Sequence, residues 1–155
     1  MLNLTTMKKG IIPIFLLFVA LTVKAQDSGF GIGIMAGEPT GISSKYWLSR
    51  TTAADAGLAW SIDSYLHIHA DFLMHKYDLI NVSKGELPVY IGLGARILLT
   101  SPDLSLGIRV PLGLDYQFSG APFDLFFEVV PILNLTPATE FDFNAAIGFR
   151  YFFDI

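Results

Sequence analysis

From Phe30 to the end of the chain, large apolar residues alternate with small or polar ones in about eight short segments, and Gly, Pro, Asp, Ser or Thr break them apart. A period of two places successive side chains on opposite faces of a strand. The pattern therefore predicts strands near 30–37, 41–48, 54–62, 65–77, 88–99, 104–118, 122–134 and 140–154. No segment keeps a helical period. The last one is the clearest: Phe141, Phe143, Ala145, Ile147, Phe149, Tyr151, Phe153 and Ile155 fall on one face, with Glu140, Asp142, Asn144, Gly148, Arg150 and Asp154 on the other.

The breaks between segments determine how they pair. Glu38-Pro39-Thr40-Gly41, Thr100-Ser101-Pro102-Asp103 and Ser119-Gly120-Ala121-Pro122 carry turn chemistry. Links this short join antiparallel neighbours, because a parallel pair needs a crossover of about a dozen residues. The expected fold is all-β, a closed antiparallel up-and-down transmembrane β-barrel of about eight strands. Pro111 and Pro131 conflict with two strands, since a closed barrel has no free edge for a missing N–H. A bulge or strand end is expected there, with the parity slipping after Pro131.

Composition says what the apolar faces touch. The chain is 52% hydrophobic and 15% charged, against about 25% charged in a soluble domain. Past the first 25 residues no stretch reaches the ~20 apolar residues of a membrane helix. The surplus is spread over alternating strands, which suits lipid outside and small or polar side chains inside. Tyr46, Trp60, Tyr116, Tyr151 and Phe153 lie near strand ends, where an interfacial aromatic girdle would form.

The start has the form of a secretory signal. Lys8 and Lys9 precede an apolar run from Ile11 to Val23, and Val23-Lys24-Ala25 offers a small residue before cleavage. The expected organisation is a signal peptide over 1–25 and an outer-membrane β-barrel domain over 26–155. Cleavage removes three lysines and no acid, so the mature chain is more acidic than the formal −4 of the precursor. An acidic product without a basic patch excludes nucleic acid as a partner. With no cysteine, neither disulfide staples nor acylation of a mature N-terminal Cys is available.

Parity gathers a charge network on the inward faces: Lys45, Arg96, Arg109 and Arg150 with Asp55, Asp71, Asp115, Glu128 and Asp142. A desolvated ion without a partner costs several kcal/mol, so these groups are expected to pair across the lumen. The three histidines, His67, His69 and His75, share one face of the fourth strand with Asp71. They are weak candidates for a metal, since a strong site needs three or four converging ligands. No cofactor is expected.

These strands resemble the small eight-stranded outer-membrane barrels typified by the OmpA transmembrane domain. The sharpest local match is the C-terminus, where Ile147, Phe149, Tyr151, Phe153 and Ile155 alternate to the end. In that family such a pattern implies an assembly signal read by the outer-membrane insertion machinery. Ending in Ile instead of Phe departs from the commonest form. The resemblance implies an outer-membrane location after export through the periplasm, lipid as the surrounding partner and a monomer, without the family's periplasmic domain.

With both termini in the periplasm, the outer connections fall near 38–40, 63–64, 100–103 and 135–139, and all are short. The longer link over 78–87 faces the periplasm. The expected role is that of a structural or general membrane barrel with a side-chain-filled lumen, and it is not an enzyme. The competing readings are a narrow ion or small-solute channel, a lipid-modifying enzyme, and a soluble ligand-binding barrel. The lipid hydrolases of this architecture need a Ser beside a His with a carboxylate to orient it. His67-Ile68-His69-Ala70-Asp71 offers no such Ser.

Overall fold

The computed structural model describes residues 27–60 and 65–155. The expected signal peptide lies outside the described residues, and so does the connection expected near 63–64.

Among the described residues there are nine strands: β1 (Phe30–Glu38), β2 (Gly41–Trp47), β3 (Thr52–Trp60), β4 (Tyr65–Lys76), β5 (Val89–Thr100), β6 (Asp103–Arg109), β7 (Leu112–Gln117), β8 (Phe123–Thr136) and β9 (Glu140–Phe153). Neighbours in sequence pair antiparallel, apart from β6 and β7, and β1 pairs with β9 from Phe30↔Phe153 to Glu38↔Ala145. That seam closes the sheet into a ring. Closure gives every strand a partner on both sides and removes the exposed edges that an open sheet would have to protect.

The ring has eight members because β6 and β7 occupy one place in it. Both pair with β5 in a single register, from Thr100↔Asp103 through Gly94↔Arg109 to Val89↔Leu114. Both also pair with β8, where Arg109↔Ile132 and Leu112↔Val129 belong to one register. The interruption is Val110-Pro111. Val110 N donates to Pro131 O at 3.1 Å, and Gly92 N donates to Pro111 O at 2.8 Å. The returning bond of each pair would need a proline N–H, so two adjacent ladder bonds are missing at one spot in the wall.

The parity slip expected after Pro131 does not occur. Pairing with β9 runs unbroken from Val129↔Ala145 through Pro131↔Phe143 to Asn134↔Glu140, and the inward positions continue through Val130 and Ile132. The irregularity lies elsewhere, between Leu106 and Gly107, where β8 carries one extra residue. Thr136 Oγ1 accepts the Leu106 N–H there, at 3.2 Å.

The wall has two contrasting faces. Outward positions between the strand ends carry no Asp, Glu, Lys or Arg; they hold residues such as Ile34, Leu93, Phe127 and Ile147, each at least half exposed. Inward, large side chains lie opposite glycines on the neighbouring strand: Phe152 opposite Gly31, His69 opposite Gly57, Leu73 opposite Gly92, Arg96 opposite Gly107, Tyr90 opposite Gly113 and Phe126 opposite Gly148. A Cβ added at Gly148 would lie 2.2 Å from Phe126 Cζ, and one at Gly113 would lie 2.3 Å from Tyr90 Cζ. Eight strands leave an interior just wide enough for side chains, so each large one needs a neighbour with none.

Gly148→Val is expected to cost about 1–3 kcal/mol by overpacking. Combined with Phe126→Ala it should recover part of that loss, so that the two changes are not additive. Urea unfolding of the refolded barrel measures both; strictly additive costs would refute the packing relation.

Candidate functional site

Inward parity brings all nine sequence-predicted charges into the lumen. Arg109, Asp115, Lys45 and Arg150 are at most 1% exposed, and only the Asp142 side chain, at 46%, reaches solvent. The contacts sort them into three groups along the barrel.

Nearest the chain termini, Lys45 on β2 donates to Asp115 Oδ2 on β7 at 2.5 Å. Arg150 on β9 holds Asp124 on β8, its directly opposed partner, through Nε to Oδ1 at 3.0 Å and Nη2 to Oδ2 at 2.8 Å. The two pairs interlock, with Lys45 Nζ 4.0 Å from Asp124 and Arg150 Nη2 3.9 Å from Asp115. Aromatic rings line the group: Lys45 Nζ sits 4.1 Å from the centre of the Trp47 ring and the Arg150 guanidinium 4.1 Å from that of Phe126. Such faces attract cations most strongly where water is excluded. Gly33, opposite both Ser43 and Arg150, keeps the space over β1 clear, and Arg150 Nη1 reaches Ser43 Oγ at 3.5 Å.

In the middle, Arg109 on β6 contacts both oxygens of Asp71 through Nε, at 3.0 and 3.1 Å, and reaches Glu128 on β8 at 3.5 Å. The Tyr90 hydroxyl donates to the other Glu128 oxygen at 2.9 Å. Asp55 lies directly opposite Asp71 on the β3–β4 ladder. At the far end Arg96 on β5 donates to Asp142 Oδ2 at 2.5 Å and Asn134 Oδ1 at 2.9 Å, with Asn144 at 3.4 Å.

The histidines do not converge. His75 lies in the group near the termini, its Nε2 2.9 Å from Lys45 Nζ and its ring tilted against Trp47. His67 and His69 are joined by a 3.1 Å contact between Nε2 and Nδ1. The residues whose donor atoms do come within 4.8 Å of one another are Asp55, His69 and Asp71.

Asp124 was missing from the sequence-based set, although it holds the shortest Arg150 contact. Its signal was available, because Asp124, Phe126 and Glu128 share one parity on β8. Tyr90, Gln117 and Asn134 supply further partners and resemble ordinary strand residues in sequence. Gln117 Nε2, for example, bridges Tyr77 Oη at 3.1 Å and Asp115 Oδ2 at 3.5 Å.

Of the C-terminal residues, Ile147, Phe149 and Phe153 point outward and are exposed, Tyr151 is half-buried among neighbouring rings, and Ile155 lies beyond the end of β9. A ladder of aromatic contacts crosses this part of the wall: Phe123 stacks on Phe149 at 4.9 Å, and Tyr151 meets Phe153 edge-on at 4.8 Å.

Comparison with known proteins places this geometry in context. No family model matches the chain, and no curated protein does. Among solved structures it is similar to the N-terminal β-barrel domain of Pseudomonas aeruginosa OprF, with 16% identity and a TM-score of 0.61, covering 84% of this chain and 100% of that one. The fold is that of a small barrel of the OmpA-like kind.

Removing one member of a buried ion pair strands the other, at a cost of about 3–5 kcal/mol. Arg150→Met is expected to lose that much unfolding free energy. Arg150→Met with Asp124→Leu should regain most of it. Equal instability of the single and double variants would show that the pair contributes nothing beyond its volume.

Proposed function

We propose that this chain is an integral outer-membrane protein with a structural role, a compact barrel whose lumen is closed by its own ion pairs. The observation that carries the reading is the contrast between the two faces of one wall. Outside, the strand interiors present no charge; inside, four cations and all of their acids except Asp142 are buried. Water would solvate the inner set and reject the outer one, so the arrangement suits lipid outside and side-chain filling within. Strands of twelve to fourteen residues, as in β4, β5, β8 and β9, exceed the about 9–11 that a tilted transmembrane strand needs. Similarity to the N-terminal β-barrel domain of Pseudomonas aeruginosa OprF supports the barrel fold on which this placement rests.

With the termini in the periplasm, the opposite rim is the outer one. Its described connections are short: 39–40 between β1 and β2, 101–102 between β5 and β6, and 137–139 between β8 and β9. Short loops give little surface for recognising a partner, which supports a structural role over an adhesive one. The interlocked lumen likewise supports a closed barrel over a channel, and the histidines, bonded to Lys45 and to each other, form no nucleophile pair.

Two measurements test the reading. The membrane fraction should show heat-modifiable gel migration, and a mature protein that stays monomeric in buffer without detergent would overturn the placement. In planar bilayers the wild-type barrel should give no defined conductance steps; steps abolished by changing Arg96 or Arg109 would establish a channel instead.

A further inference from the structure

Two of the three lumen groups balance their charges and one does not. Lys45 and Arg150 meet Asp115 and Asp124, and Arg96 meets Asp142. In the middle, Arg109 is the one described cation in contact with Asp71 and Glu128, while Asp55 lies between Asp71 and a Lys45 whose ammonium is engaged by Asp115. Three carboxylates share one guanidinium where desolvation makes unpaired charge expensive. A second, independent sign lies on Asp55 itself. The residue is only 8% exposed, and its Oδ1 is buried with no hydrogen-bond partner among the described residues.

The neighbouring histidines cannot offset two charges. The contact between His67 Nε2 and His69 Nδ1 is a hydrogen bond that needs one bare ring nitrogen, so the pair carries at most one positive charge. That contact also engages Nδ1 of His69 and leaves Nε2 available. Gly57, opposite His69, has no side chain to hold the ring away from β3: a Cβ there would lie 2.6 Å from His69 Nε2. Asp55 is the adjacent inward residue on β3, so the ring meets the two aspartates with all donor atoms within 4.8 Å.

We propose that Asp55, His69 and Asp71 bind one divalent transition-metal cation inside the barrel. An imidazole and two carboxylates are a donor set suited to zinc and its first-row neighbours. A doubly charged ion balances the two uncompensated carboxylates. His67 acts as the outer hydrogen-bond partner that fixes the ligating nitrogen, as such partners do at metal-bound histidines. Arg109 occupies part of Asp71, whose carboxylate has about four acceptor positions and retains capacity for the ion.

The test uses tag-free barrel, unfolded with chelator, refolded into detergent with zinc chloride and desalted. Bound zinc per chain is then measured, with affinity from competition against a chromophoric chelator. One zinc per barrel is expected. Asp55→Asn, His69→Gln and Gly57→Ala should each weaken binding by at least about tenfold, while His75→Gln leaves it unchanged. Heat-modifiable migration confirms that each variant is folded, and the near-isosteric Asp55→Asn keeps the test open if Gly57→Ala does not fold. A wild-type barrel that takes up no zinc would overturn the proposal, and in that case stabilisation by Asp55→Asn would identify shared protons as the occupant. Equal loss from His69→Gln and His75→Gln would also overturn it.

Discussion

The width of an eight-stranded ring is the constraint on which the rest of this structure depends. Once β1 and β9 close the sheet, every second residue on every strand must fit into an interior only a few side chains across. Size is then settled between neighbours: a tyrosine, phenylalanine, histidine or arginine on one strand faces glycine on the next. The same closure forces polarity to be settled inside. A charge below the rim of the lumen cannot turn towards bulk water, so it must find its counter-charge on another strand, and Lys45, Arg109 and Arg150 all do so.

This packing explains how a chain with so few charges can place four of the seven lysines and arginines among its described residues indoors. The aliphatic stems of Lys45 and Arg150 fill volume as apolar side chains would, while Trp47 and Phe126 present ring faces to the charged ends. Ion pairs in such a place do not make the fold more stable than a hydrophobic filling would. They are specific: an arginine that must meet one aspartate resists a shift in strand register, which would move every inward group to the outer face.

Much of this was legible in the sequence because strand parity is a strict code. Arg96, Arg109, Asp115 and Arg150 could be assigned to the inside from their neighbours alone. Which acid meets which base could not, because opposition around a barrel depends on the stagger between strands, and that is absent from any single strand's pattern. Asp124 was missed although its parity matches Glu128, because it is the second residue of β8, beside the turn at Ser119–Pro122, where a polar residue is equally at home in a loop. Pro111 does end a strand, as expected, but Pro131 misled for a related reason. Pro131 removes one N–H, but β8 is held to β9 from Phe123 to Asn134, and a strand locked on one side does not slip for a missing bond on the other. The bulge formed instead at the end of β8, where Thr136 meets Leu106 beyond the last pair with β9 and less resists it.

The histidines show where parity alone stops. His67, His69 and His75 share one face of one strand, and alternate strand residues stand about 7 Å apart, so the third lies more than 20 Å from the first. A face shared in sequence is thus not a site in space. What gathers donors is the neighbouring strand. Asp55 is brought beside Asp71 by the β3–β4 ladder, and Gly57 lets the His69 ring lean over to join them. The glycines that make the lumen packable therefore also determine which polar groups can meet within it.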